Sequence, residues 1–133
     1  MRAIDANIVL RYLLADNQTQ YERCKLLFEK VSTGKETLYL PDAALNDVVY
    51  VMTKVYRVSN SETASLMSIL LMEKNIAVDN RKLAIDALRL FAEFNVDWSD
   101  CVIASAASYK GIAEIFTFDK DFDKFKFIKR LEP

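Results

Sequence analysis

The chain has 133 residues, 52% of them hydrophobic, with only two Gly and two Pro. That is the composition of a single domain, residues 1–133, with an ample core and little room for disordered tails. The 19 acidic and 18 basic residues leave a net charge of −1, which argues against holding nucleic acid by bulk charge. There is no histidine, which excludes Ser-His and Cys-His nucleophiles, imidazole acid-base catalysis and nearly all familiar zinc sites.

No apolar run approaches the roughly 18 residues that span a bilayer, and the opening MRAIDANIVLRYLL carries acid where a signal peptide would be apolar. A cytoplasmic protein is expected. Cys24 and Cys101 stand far apart without a partner motif, so each reads as a small buried residue.

In chain order, Arg2 to Ile4 reads as a short strand, followed by Asp5-Ala6-Asn7 and an apolar-periodic helix through Ile8, Val9, Tyr12 and Leu13. Asp5 ends a strand and precedes a helix, a place suited equally to capping and to chemistry; Asn7 also fits a cap or turn. Tyr21, Cys24, Leu27, Phe28 and Val31 give a second helix its core face. Thr37 to Leu40 is a strand, and Pro41 is placed to start a helix whose apolar face includes Leu45, Val48, Val49 and Met52. Asp47 falls at the margin of that face, turned either to water or to a cleft. Asp42, in the first turn, complements the helix dipole.

Ser61 and Glu62 open a helix carrying Leu66, Ile69 and Leu70; Asn75 to Asp79 gives a third strand; Leu83, Ala87, Leu90, Phe91 and Phe94 mark the next helix. This alternation points to an α/β fold with a parallel sheet and helices on both faces. In NVDWSDCVIASAAS, Asp97 and Asp100 share one turn at a helix start, and capping alone does not require two repelling acids there. Finally IFTFDKDF reads as a buried strand, Ile115 to Phe118, with Asp119 and Asp121 beyond it as turn formers or as functional acids.

If the fold gathers Asp5, Asp47, Asp100 and Asp119, their carboxylates must either protonate or bind a cation. Oxygen donors without histidine suit Mg²⁺ or Mn²⁺. Lys120, Lys124, Lys126, Lys129 and Arg130, with Arg11, offer local cations for phosphate, although most also fit a solvated face.

The ordered set IDANIVLRYLL, ALNDVVYVM, VDWSDCVIASAA and IFTFDKDFDKF resembles the PIN-domain nucleases, in particular VapC-like toxins of toxin–antitoxin pairs, over nearly the whole chain. The resemblance implies a Rossmann-like α/β/α sandwich with a short, mainly parallel sheet of four to five strands. It implies a pocket that binds Mg²⁺ or Mn²⁺ and cleaves single-stranded RNA, a homodimer, and a cognate antitoxin protein as partner. On this resemblance Asp5, Asp47, Asp100 and Asp119 are the metal-site and catalytic acids. Asp97 and Asp121 support them, and Asn7 and Thr117 orient ligands or water. The family usually has Glu where this chain has Asp47, and the shorter side chain reaches less far.

Overall fold

The computed structural model describes residues 1–133. Five short strands alternate with six α-helices: β1 Arg2–Ala3, α1 Ala6–Leu14, α2 Gln18–Ser32, β2 Leu38–Leu40, α3 Asp42–Tyr50, α4 Asn60–Leu71, β3 Ile76–Val78, α5 Arg81–Glu93, α6 Trp98–Tyr109, β4 Glu114–Phe116 and β5 Lys129–Leu131. A π-helical stretch, Val51–Val55, runs directly on from α3, and a 3₁₀ turn, Lys120–Lys124, follows β4.

All the strand pairings are parallel, as the alternation of elements predicts, but they form two groups. β1, β2 and β3 lie in that order, with Leu38 opposite Ile76 and Arg2 opposite Leu38; β4 and β5 pair separately, Glu114 opposite Lys129. β1 is only two residues long; the amide of Arg2 donates to Thr37 O, just before β2, at 3.1 Å, and that of Ile4 to Tyr39 O at 2.9 Å.

Local sequence sets the helix starts. Asp5 accepts from Ile8 N, Asn17 from Gln20 N, Ser59 from Glu62 N and Asn80 from Leu83 N, so four helices begin on a side-chain oxygen that satisfies an orphan amide. Pro41 is the cap residue itself, one position before α3 begins. Gly34 and Gly111 take positive φ after α2 and α6, where a Cβ would be strained.

One continuous core joins β2, β3 and the inner faces of α1, α3, α4, α5 and α6, and Phe122, Phe125 and Ile128 belong to it. Phe125 packs edge-on against Phe94 at 5.5 Å and against Phe122 at 5.9 Å. The segment after β4 is thereby held by its own aromatic residues. Both cysteines are free and buried, and no helix is long and apolar enough to cross a membrane.

The expectation of a buried strand at Ile115 to Phe118 is corrected. The strand ends at Phe116, Ile115 is only half-buried, and Phe116 and Phe118 are 71% and 73% exposed. Strand-favouring residues mark the backbone conformation here, while tertiary placement at the edge of a two-stranded pair leaves alternate side chains in solvent.

Candidate active site

Asp100 lies in the first turn of α6, and Asp119 and Asp121 flank the start of the 3₁₀ turn after β4. Carboxylate oxygens of the three all lie within 4.8 Å of one another. At that separation two like charges repel by about 1 kcal/mol at the dielectric of water and about 4 at an effective value near 20. Asp100 feels this most, because it is the enclosed member, 9% exposed. Burial first, then the charges of Asp119, Asp97 and Asp121, push its carboxyl above the usual range.

The surrounding backbone fixes the group. Thr117 Oγ1 accepts from Asp119 N at 3.0 Å, and Asp119 Oδ1 accepts from Asp121 N at 2.9 Å. Asp119 is thus a turn former and a member of the acid group at once, with its other oxygen free. Lys124 Nζ stands 3.3 Å from Asp121 and donates to Asn95 O at 3.0 Å, offsetting part of the charge.

Asp97 occupies the cap position of α6 but makes no capping bond. Its carboxylate instead meets Lys54 Nζ at 3.3 Å. Asp47 is exposed on α3 and shares with Asp97 and Asp121 the lining of a cavity of about 580 Å³. Neither Asp47 nor Asp5 belongs to the three-acid group. Asp5 caps α1, and with Asn7 and Arg11 it borders a separate cavity of about 460 Å³ beside α2. Arg11 is committed locally, to Gln20 at 2.7 Å and Asp16 at 3.1 Å. Arg130 is likewise held by Asp123 and Glu132, whereas Lys120, Lys126 and Lys129 form no ion pair.

Three acidic oxygen donors, no histidine and excess negative charge fit a hard divalent cation such as Mg²⁺ or Mn²⁺. Cys101 lies beside Asp100 in the chain, but its thiol is fully buried and pushed up to about 12, chiefly by burial, so it offers no thiolate.

Two acids just beyond a parallel strand thus meet one from the first turn of the helix before it, and the model of one family, described as PIN domain, matches the chain along residues 3–128. The chain belongs to the PIN domain family. This bears out the family suggested by the ordered acidic segments. The PIN domain here is also similar to a VapC ribonuclease of Aquifex aeolicus (strain VF5), 22% identical over 127 residues that make up 96% of this chain and 93% of that protein.

Sequence reasoning overlooked the polar residues around the PIN domain's larger cavity: Asn46, Lys54, Asn60 and Asn95. Asn46 sits beside the singled-out Asp47, and Trp98 between Asp97 and Asp100. Following the face of Asp47 for two helical turns, through Tyr50, finds Lys54 too.

Proposed function

We propose that this PIN domain is a metal-dependent endoribonuclease that cleaves single-stranded RNA and acts as the toxin of a toxin–antitoxin pair. The observation that carries the reading is the convergence of Asp100, Asp119 and Asp121 in a protein without histidine. Family membership and the likeness to a VapC ribonuclease support the choice of RNA and of toxin.

Asp100, Asp119 and Asp121 would hold Mg²⁺ or Mn²⁺. Such an ion, when bound, supplies an activated water at neutral pH and stabilises charge on phosphate oxygens. The chain's own residues position the site. Thr117 fixes the Asp119 backbone, Asp119 fixes that of Asp121, and Lys54 keeps Asp97 from adding an unpaired charge. Asp47 borders the cleft from α3, where it would reach the ion or its waters only across part of the cavity. The same reading would give Asp5 and Asn7 a part in the site from the start of α1, where they border the separate cavity beside α2. Phosphate contacts fall to local lysines, Lys54 and Lys120 first, since the overall charge gives no attraction.

A toxin of this kind pairs with a cognate antitoxin protein, whose basic side chain would meet the acids as a cation does. A homodimer belongs to the same reading. The exposed, short side chain of Asp47 favours one rival, a PIN-like module that binds RNA or protein without cutting it.

The test is cleavage of a labelled single-stranded RNA with Mn²⁺, with Mg²⁺ and with EDTA, beside Asp100→Asn purified identically. Cleavage that needs the cation and disappears in the variant is expected. Absence of cleavage together with absence of metal binding by calorimetry would replace the nuclease with the binding module.

A further inference from the structure

The cavity of about 580 Å³ touches the acid group only through Asp121, and the cleavage chemistry proposed above leaves most of it unused. One wall is the last turn of α3 with the π-helical stretch that follows it; the other is the start of α6. Its size is that of a small-ligand pocket, which spans roughly 300–1,000 Å³.

The walls are mixed in a specific way. Trp98 Nε1 donates to Asn46 Oδ1 at 2.9 Å. Indole N–H is a donor only, so this bond settles which way the Asn46 carboxamide points, with its oxygen toward Trp98. Its NH₂ group, which donates to no protein acceptor, is left for an occupant. One turn later on α3, Tyr50 is 60% exposed and offers an unpartnered aromatic ring at the same cavity. Lys54 follows one turn on, and carboxylates of Asp47 and Asp97 supply acceptors.

The backbone carrying this wall is unusual. Val51–Val55 is π-helical, and Thr53 turns its hydroxyl back onto Val49 O at 2.9 Å. Arg57, between the cavity residues Lys54 and Asn60, takes a φ of +59° without being glycine. π-helical turns and non-glycine residues in the left-handed region concentrate at ligand sites, where the local geometry is held by its surroundings.

We infer that this cavity is a base subsite, which takes one unstacked base of a single-stranded RNA against Tyr50 and Asn46 while the adjoining phosphate lies toward Asp121 and the acid group. The inference rests on the nuclease reading for the position of the phosphate. A flat aromatic ring, free amide donors and carboxylate acceptors match what an unpaired base presents, a π-face and a hydrogen-bonding edge. Lys54, at the rim, is placed for backbone charge.

The protein has a single tryptophan, Trp98, in the cavity wall, so its fluorescence reports occupancy. The experiment titrates the full chain in EDTA, where no cleavage occurs, with a mixed-sequence RNA decamer and with a ribose-phosphate decamer lacking all bases. The RNA is expected to change Trp98 emission and to bind more tightly than the baseless chain. Tyr50→Ala is expected to weaken RNA binding by about tenfold or more, the usual effect of losing one stacking partner, and Asn46→Ala by about fivefold, the effect of losing one neutral hydrogen bond, with the baseless chain bound as before. Matching thermal melts establish that both variants fold.

Equal binding of the two probes, or variants that bind RNA at wild-type strength, overturns the subsite. The same preparations are assayed for Mn²⁺-dependent cleavage. Cleavage without base discrimination overturns the subsite and keeps the nuclease, whereas base-dependent binding without cleavage overturns the nuclease and keeps the subsite. A wild-type protein that binds neither probe overturns the subsite outright.

Discussion

Two groups of acids stand at carboxyl ends of strands in this molecule, and they are treated oppositely. After β2 and β3, Asp79 accepts from the Tyr39 hydroxyl at 2.6 Å and from Asp42 N at 2.9 Å. Those bonds hold its carboxyl below the usual range. After β4, Asp119 and Asp121 face Asp100, and only Lys124 forms an ion pair with this group. The first group is satisfied by the protein itself; the second keeps its repulsion. An acid cluster therefore points to an external cation only when its own hydrogen bonds have been counted.

The contrast depends on the second group being held in place, so the largest disruption comes from its anchor. Phe125 is 1% exposed and touches three other phenylalanines. Phe125→Ala is expected to cost about 3–5 kcal/mol of stability in urea unfolding, as buried aromatic truncations do. A loss below 1 kcal/mol would mean that the segment bearing Asp119 and Asp121 is not fastened through this ring.

Next comes the chemistry. Asp100→Asn keeps the shape and removes a charge from the enclosed position, and RNA cleavage should fall by at least about 100-fold, more than the loss of an outer partner of a metal ligand. Asp79→Asn, in the satisfied group, should leave cleavage within a fewfold of wild type. Equal losses in both variants would erase the distinction between the groups.

Cation binding sharpens the same contrast without any substrate. Mn²⁺ at a hundredfold excess over its dissociation constant should stabilise the wild type by about 2.7 kcal/mol, seen as a raised melting temperature. Asp100→Asn should lose that response, yet melt no lower than wild type in EDTA because one member of the repelling group is gone. Asp79→Asn should keep the response in full.

How much of this could be read from the sequence follows the same division. The alternation of strands and helices and the ordered acidic segments were legible because they rest on local periodicity and on spacing within a helix, as with Asp97 and Asp100. The exposure of Phe116 and Phe118 was not, since an apolar run in a strand does not reveal whether the sheet continues beyond it. Likewise, the two roles of Asp97, cap position and Lys54 partner, differ only through a contact between α6 and the π-helical stretch. Tyr39 and Asp79, forty positions apart, gave no local signal beyond an acid at the end of IAVD.

The smallest effect tests the satisfied group directly. Tyr39→Phe removes the hydroxyl that is the main reason the Asp79 carboxyl lies low in the folded protein. A carboxylate depressed by folding contributes stability above its unfolded value, near 3.9, and loses it as pH falls through the folded value. The variant should therefore be slightly less stable than wild type at pH 7, and the gap should close toward pH 2. Asp42 works in the opposite sense: burial, then Asp79, raises its carboxyl, so its contribution declines as pH rises through the carboxylate range. Neither cause is the Tyr39 hydroxyl, so this contribution is common to both proteins and drops out of the gap between them. Paired urea titrations from pH 2 to pH 7 measure it. A gap constant across that range would trace the loss to packing of the Tyr39 ring and leave Asp79 no more satisfied than the acids around Asp100.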